Sequence, residues 1–437
     1  MASPVGSHEE KAPLVSNALP HPQKPKDCTR DVYILSLSFL LIFLAYGAAQ
    51  NLQSTLNTER NLGTISLGIL YSSFTLFSLV SSLIVRVFGS NNALVLGTTG
   101  YWVFVAANLK PNWHTMVPAS LYLGFSASII WVGQGTYLTS TARDHARYWN
   151  LPEAAVIGHF NGIFWAIYAL NQFVGNLLTF ALLKNGQDGT TSNTTSLFTV
   201  FLCVISLGAI LMCFMSQRSG NNMGDDEPSD TGVSAYSSLK SLFESLASAL
   251  SDVRMLLVVP LITYSGLQQA FVWAEFTKHI VTPALGVSGV GIAMAVYGAF
   301  DGISSLTAGR LTSGLPSITS IVCVGGFVQA ITFILLLLDI SIASGRLNTL
   351  YLLFMASLLG IGDGVLNTQL NALLGMLFKH DTEGAFAQLK IWQSASIAMV
   401  FFLSPHVSLQ EMLLIVITSL CLSFGSFLFL TLKVAKE

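Results

Sequence analysis

The sequence predicts an all-α multi-pass membrane protein with twelve helices, arranged as two six-helix bundles. Of its 437 residues, 52% are hydrophobic and only 10% are charged, whereas soluble domains carry about 25% charged residues. A chain this poor in charge cannot cover a water-facing surface. Its apolar residues also fall into runs of about twenty, the length that an α-helix needs to cross the hydrocarbon core of a bilayer.

A long polar break near the middle leaves about six apolar runs on either side, the outline of a transporter-type bundle. It divides the chain into a disordered cytoplasmic tail (1–31), a first bundle (32–216), a cytoplasmic central loop (217–255), a second bundle (256–432) and a short cytoplasmic tail (433–437). Within the loop, apolar residues recur at helical spacing over 238–252, which indicates an amphipathic helix on the membrane surface or a soluble connector helix. The predicted spans are 32–53, 66–86, 92–109, 116–141, 158–183, 197–216, 256–273, 288–308, 317–338, 349–372, 386–403 and 409–432.

Orientation follows from the positions of lysine and arginine, which favour cytoplasmic loops. With the N-terminus inside, most of the 20 basic residues, including Lys379 and Lys390, fall on the inner side. Both termini are therefore predicted to be cytoplasmic. The sequon Asn193-Thr194-Thr195 then lies in the outer loop between helices five and six, which makes Asn193 a glycosylation candidate. The five cysteines lie in the tail or inside apolar runs, so we expect no structural disulfide.

The two halves repeat each other. Helix one carries Tyr46-x3-Gln50-Asn51, and helix seven carries Tyr264-x3-Gln268-Gln269 at the corresponding place. Ordered matches also occur between helices two and eight and between helices five and eleven. They predict two bundles related by an axis along the membrane normal, with a central cavity between them. That is the architecture of the major facilitators.

Polar side chains inside apolar helices should face a cavity or another helix, because they are costly in hydrocarbon. Each can serve as an interhelical hydrogen-bonding group or as part of a polar cavity lining, and the sequence leaves both interpretations open. The cavity interpretation gains weight because the clusters fall on helices that face the cavity in this architecture. The candidates are Gln50, Gln53 and Asn57 in helix one, Gln134 in helix four, Asn161, Trp165, Tyr168, Gln172 and Asn176 in helix five, Gln268 and Gln269 in helix seven, and Asp363, Asn367 and Asn371 in helix ten.

Two aspartates in the predicted helices are candidates for a functional role. Asp363 lies in an apolar helix, where a carboxylate is neutral, paired, or a cation or proton site. Asp301 and Arg310 are candidates for a gating contact at the turn between helices eight and nine. The equivalent turn of the first half, Arg86-Val87-Phe88-Gly89, has no aspartate, which argues against an ordinary transport cycle.

Motifs typical of enzymes are missing from the sequence, which contains no phosphate loop, no His-Glu-x2-His and no Cys-x2-Cys. Gly360-Ile361-Gly362-Asp363-Gly364 superficially suggests a nucleotide loop, but it lacks the strand–turn–helix context and is better explained by helix packing. We therefore expect no enzymatic activity, no cofactor and no metal. The net charge of −2 and the lack of a basic stripe also argue against nucleic acid as a partner.

Four segments carry a family resemblance: Asn51-Leu52-Gln53-Ser54-Thr55-Leu56-Asn57, Gly133-Gln134-Gly135-Thr136-Tyr137, Phe160-Asn161-Gly162-Ile163-Phe164-Trp165 and Gly362-Asp363-Gly364-Val365-Leu366-Asn367-Thr368-Gln369. Together they closely resemble the uncoordinated-93-like family, and the resemblance covers about residues 32–432. The sequence is similar to that of a plant member. The resemblance implies the major facilitator fold. It also implies regulation of two-pore potassium channels or chaperoning of receptors, as in animal members, and potassium homeostasis in plants.

Two functional classes stay open. The chain is either a non-enzymatic regulatory or chaperone-like partner of an ion channel or other membrane client, or a secondary transporter of a small solute or ion. The family resemblance and the turn without aspartate favour the first. The polar cavity and Asp363 favour the second. Besides the lipid bilayer, the expected partners are therefore a client such as a potassium channel, or a small solute or ion.

Overall fold

The computed structural model describes residues 28–56, 62–184, 191–216, 252–338, 346–404 and 406–434. Within these ranges the chain forms twelve α-helices and one π-helical segment and no strand, which confirms the predicted all-α, twelve-helix fold. The helices are α1 (Cys28–Leu56), α2 (Leu62–Phe88), α3 (Ser90–Ala107), α4 (Trp113–Trp149), α5 (Glu153–Lys184), α6 (Thr191–Met212), α7 (Val253–Phe271), α8 (Thr282–Leu311), α9 (Leu315–Leu337), α10 (Arg346–Leu377), α11 (Thr382–Leu403) and α12 (Leu409–Val434), with the π-helical segment Val272–Val281 between α7 and α8.

The described residues contain 10 candidate membrane spans that are long and apolar enough to cross a bilayer. Helices α3 and α5 fall outside that group, but α3 packs against α4, and α5 packs against α1 and α8. Both are therefore part of the same helical bundle. The chain is thus an integral membrane protein that crosses the bilayer many times, as its composition predicted.

Most helices begin a few residues before the predicted apolar run, because polar terminal turns carry no hydropathy signal. Helix α6 begins at Thr191, so Asn193 lies in its first turn and not in a connecting loop. The side chain of Asn193 lies outside the described residues, as do those of Gln53 and Asn176. Asn57, the tail before residue 28 and the predicted amphipathic helix at 238–252 also lie outside them, apart from the last residue of that helix. All five cysteines lie among the described residues, and none of them forms a disulfide there.

Helix packing follows the same pattern in both halves. Helix α1 packs against α5 and α6, as α7 packs against α11 and α12. Helix α4 packs against α2 and α3, as α10 packs against α8 and α9. The halves meet where α5 packs against α8 and where α2 packs against α11. Because α5 corresponds to α11 and α2 to α8 in the repeat, these two interfaces are equivalent. The packing therefore agrees with the two pseudo-symmetric bundles that the sequence repeats predict.

Small residues form the seam between α5 and α8. A Cβ atom built on Gly162 would lie 2.8 Å from the carbonyl oxygen of Ser305 and 2.9 Å from the Cα atom of Gly309. A Cβ atom on Gly302 would lie 3.1 Å from the carbonyl oxygen of Ala166. Such close approach of two backbones is typical of membrane helices, because packing rather than the hydrophobic effect holds them together within the bilayer.

Charged side chains tie the two halves together at one end of the bundle. The guanidinium of Arg86, near the end of α2, donates to Asp381 over 2.8 Å. Arg143 of α4 lies 3.2 Å from one oxygen of Glu153 at the start of α5, and Lys379 Nζ lies 3.0 Å from the other. We call these five residues the ionic cluster. Because Lys379 and Asp381 belong to the second half, the cluster closes the gap between the halves at this end.

Arg143 is the most enclosed basic residue of the ionic cluster. Its Nη2 atom donates to the carbonyl oxygen of Gly375 in α10 over 2.6 Å. Burial alone would raise the pKa of the neighbouring Glu153 carboxyl, but the hydrogen bond and charge of Lys379, with the charge of Arg143, hold that pKa below its ordinary value. The carboxylate of Glu153 is therefore ionised at neutral pH and joins α4 to Lys379, which lies between α10 and α11.

Candidate functional site

A buried polar network in the second half is centred on Asp363. Close packing of α10 on α8 brings it together, because a Cβ atom on Gly360 or Gly364 would overlap with the backbone of α8 at Tyr297 or Asp301. The glycines of this segment therefore serve helix packing, as the sequence indicated. Gly362, between them, faces the side chain of Gln329 in α9.

The Asp363 carboxylate receives hydrogen bonds from three side chains. Its Oδ1 atom accepts from Gln269 Nε2 of α7 over 3.1 Å and from Asn367 Nδ2 over 2.9 Å. Its Oδ2 atom accepts from the hydroxyl of Tyr297 in α8. Asp363 is only 4% exposed. The network therefore joins α7, α8 and α10 through one buried acidic group whose two oxygen atoms both have protein donors.

A second buried carboxyl group, that of Asp301, lies on α8 beside this network. Its Oδ1 atom accepts from Ser305 Oγ over 3.2 Å, and the same hydroxyl lies 3.2 Å from the carbonyl oxygen of Gly364. The sequence placed Asp301 at the inner end of its helix, but α8 continues to Leu311, so Asp301 lies well inside the helix and faces α10. Arg310 does lie at that end, where it is exposed.

The paired glutamines of the sequence repeat have different surroundings. Gln50 is partly buried and donates to the hydroxyl of Tyr71 in α2 over 3.1 Å. The Tyr71 ring stacks on Phe401 of α11, so Gln50 adjoins an interface between the halves. Gln268 is fully buried beside Tyr297, yet neither of its amide atoms makes a hydrogen bond of normal geometry within the described residues. Gln268 therefore has hydrogen-bonding capacity that the described residues leave unused.

Trp165 and Tyr168 of the predicted helix-five stripe belong to an aromatic cluster in the first half. Trp165 stacks on Trp131 of α4, with ring centroids 5.8 Å apart and planes inclined by 12°. The Tyr168 ring meets Trp131 edge-on at 5.5 Å, and the Phe43 ring lies 5.0 Å from Trp131. We call Trp131, Trp165, Tyr168 and Phe43 the aromatic cluster.

The remaining predicted residues have mixed roles. Asn161 and Asn371 each donate to a carbonyl oxygen one turn earlier in their own helix, over 2.9 and 2.8 Å respectively. Both amides thus satisfy backbone groups instead of joining a polar centre. Gln172 is partly buried and faces Gly298 of α8. Gln134 is buried on α4, and its Nε2 atom has no hydrogen-bond partner among the described residues.

Lys390 was not predicted as a site residue and was counted only among the inner-side charges. The structure places Lys390 on α11, where it is only 5% exposed. Its ammonium group donates to Gln393 Oε1 over 2.8 Å and lies 4.5 Å from the centroid of the Trp131 ring. The available signal was that this lysine lies inside the predicted span 386–403, about one turn from its start.

Comparisons with known proteins agree on family and fold. The sequence model of the family described as "Ion channel regulatory protein UNC-93" matches residues 55–430. The chain is 63% identical to UNC93-like protein 3 of Arabidopsis thaliana, over 94% of this chain and 88% of that protein. It is 28% identical to a Caenorhabditis elegans protein, unc-93, whose name refers to potassium channel regulation, over 91% of this chain and 60% of that protein.

Solved structures show the same fold at low sequence identity. The crystal structure of FucP, a Major Facilitator Superfamily transporter, aligns with a TM-score of 0.64 at 12% identity, over 91% of this chain and 98% of that chain. The fold predicted from the repeats is thereby confirmed.

Proposed function

Because the chain belongs to the UNC-93 family of ion channel regulatory proteins, we propose that it is a non-enzymatic regulatory or chaperone-like partner of an ion channel. The observation that carries the proposal is the family match over residues 55–430, which includes the polar network around Asp363. The name of the Caenorhabditis elegans relative supports a potassium channel as the client. Potassium homeostasis is then the process that the protein serves.

The surroundings of Asp363 support a scaffold role. Both of its carboxylate oxygens are used by donors from Gln269, Asn367 and Tyr297. A carboxylate that accepts from three protein donors fixes the mutual rotation of three helices. A regulatory partner needs such a stable shape, because its client recognises the outer surface of the bundle.

Secondary transport of a cation or proton is the second candidate. The observation in its favour is that Asp363 and Asp301 are two buried carboxyl groups on facing helices, and neither has a basic partner within 4.0 Å among the described residues. Ionisable groups in a membrane interior mark ion or proton pathways in many transporters. A cycle of protonation at this pair would provide such a pathway.

The two candidates are separated by measuring potassium and proton flux, normalised to surface expression, with and without a co-expressed potassium channel. The variants are Asp363→Asn and, as a control, Asp144→Asn, which changes a partly exposed carboxylate outside the network. The asparagine introduced by Asp363→Asn keeps the shape of the network, because its oxygen can accept from Gln269 and Asn367 while the Tyr297 hydroxyl accepts from its amide.

A regulatory partner changes channel current in wild type and in Asp363→Asn alike, and carries no flux by itself. Flux without the channel that disappears in Asp363→Asn, but not in Asp144→Asn, would replace the regulatory proposal with transport. The absence of both channel modulation and flux for a panel of potassium channels would refute the potassium-channel proposal.

We also propose the topology that follows from the basic residues, with both termini in the cytoplasm and Asn193 outside. The burial of Lys390 removes one residue from the count of inner-side charges, but the excess of lysine and arginine on that side remains. Residues 32–216 and 256–432 are then the two repeats on either side of the cytoplasmic loop at 217–255. A reporter fused after Glu437 should read out on the cytoplasmic side, and an extracellular or lumenal signal would overturn the orientation.

A further inference from the structure

Lys390 is a buried basic group without an acidic partner in the part of the chain that the structure describes. No carboxylate oxygen among the described residues lies within 4.0 Å of its ammonium group. One of its three N–H donors is used by Gln393 Oε1, and the Trp131 ring lies beneath the charge. Gln393 is itself held by a 3.3 Å hydrogen bond from its Nε2 atom to Ser265 Oγ of α7, so its oxygen stays directed at Lys390.

Nearby groups on the other half of the protein are also hydrogen-bond donors that lack acceptors among the described residues. The indole Nε1 of Trp165, which stacks on Trp131, is buried without a partner, and so is the amide Nε2 of Gln134, one turn along α4 from Trp131. Helices α4 and α11 run close together here, since a Cβ atom on Gly135 would overlap with the Phe386 ring one turn before Lys390. Trp131 thus has Lys390 and Trp165 against its ring and Gln134 one turn away on its own helix.

Buried donors in excess of acceptors are the complement of an anion. An unpaired ammonium and unsatisfied N–H groups are costly in an apolar interior, and one bound anion would satisfy several of them at once. The ring faces of Trp131, Trp165 and Tyr168 also exclude water, which strengthens a charge–charge interaction. They can further contact an apolar body attached to the anion.

We propose that Lys390, Trp165 and Gln134 mark a binding site for a monovalent anion between α4, α5 and α11, with a carboxylate on a small apolar body as the form that fits the aromatic walls. The site is built from both halves, with Lys390 from the second and the other two residues from the first. A bound anion would therefore link the halves near the middle of the bundle. The proposal does not depend on the identity of a channel client, because it concerns binding alone.

The test is anion binding to the purified full-length protein in lipid nanodiscs, in a buffer with sulfate as the only other anion. The probes are benzoate, chloride and the neutral analogue benzamide, followed by tryptophan fluorescence and by the thermal unfolding midpoint. We expect saturable binding of benzoate or chloride to wild type. Lys390→Met should weaken it at least tenfold, while Lys278→Gln, which removes an exposed lysine of the same half, should leave it unchanged.

Two further variants separate charge from packing. Lys390→Arg keeps the charge and should retain binding within a few-fold, whereas Trp165→Phe keeps a stacked ring but removes the N–H donor and should weaken binding several-fold. Lys390→Met is expected to fold, because replacing an unpaired buried cation with an apolar side chain of similar length removes a desolvation cost.

A response to benzoate alone would identify an organic anion, and a response to chloride alone an inorganic one. Equal affinity in wild type and Lys390→Met would refute the site, as would equal binding of benzamide and benzoate. The absence of saturable binding of either anion to wild type would refute it as well.

Discussion

The seam between α5 and α8 offers a quantitative test of how the halves are held together. In Gly309→Ala, the new methyl group would lie 2.5 Å from the carbonyl oxygen of Gly158 and 2.6 Å from the Cα atom of Gly162. All three nearest atoms belong to the backbone of α5, so no side chain can move aside. To reach an ordinary contact of 3.4 Å, the two helices must separate by about 0.9 Å, and such overpacking typically costs about 1–3 kcal/mol.

Gly291→Ala in the same helix is the matched control, because no atom lies within 4 Å of its added Cβ. Both variants gain the same helix propensity of about 0.5–1 kcal/mol when alanine replaces a glycine inside a helix. That gain cancels in the comparison, so the difference between the variants measures the clash alone.

The assay is thermal unfolding of the purified variants in one detergent, followed by the loss of the monodisperse peak in size-exclusion chromatography. We expect Gly309→Ala to unfold at a lower temperature than Gly291→Ala, with Gly291→Ala at or above wild type. Equal midpoints for the two variants would contradict the close backbone contact between α5 and α8.

Three further predictions concern the polar network and the ionic cluster. Asp363→Leu leaves three buried donors without an acceptor, so it should lower the free energy of unfolding by at least about 3 kcal/mol, whereas Asp363→Asn should lower it by under about 1 kcal/mol. Chemical denaturation of both variants measures these losses. Equal losses would refute the network. Arg143→Ala removes the donor to the Gly375 carbonyl. It should widen the distance between spin labels at Val87 and His380, which lie on opposite halves. An unchanged distance would contradict the role of the ionic cluster in holding the halves together. The pKa of Glu153 is lowered from 4.5 in the folded protein, so its contribution is present above pH 4.5 and is lost as the pH falls through the lowered pKa. The same label distance should therefore widen in that acid range, and Glu153→Gln should reduce this pH dependence.

Several features of the protein follow from the sequence without knowledge of its packing. The number of helices and their approximate positions depend on local hydropathy, because the thickness of the bilayer sets the length of every span. The polar stripe of α10 was also predictable, since helical spacing puts Asp363 and Asn367 on one face, and their 2.9 Å hydrogen bond confirms it. The repeated patterns of the two halves predicted the fold that the solved structures share.

Other features depend on which helices meet and on how each is rotated about its axis. Asp301 was assigned to the inner end of its helix because Gly302 and Gly309-Arg310 follow it, whereas the contact of Gly364 with α8 places it beside Asp363. Lys390 was counted only among the inner-side charges, because its position in the sequence does not show whether its side chain is buried. Its place over Trp131 follows from the close approach of α4 and α11 at Gly135. Helix rotation is decided by which small residues allow two backbones to touch, and these contacts join residues hundreds of positions apart, so no local pattern in the sequence could reveal them.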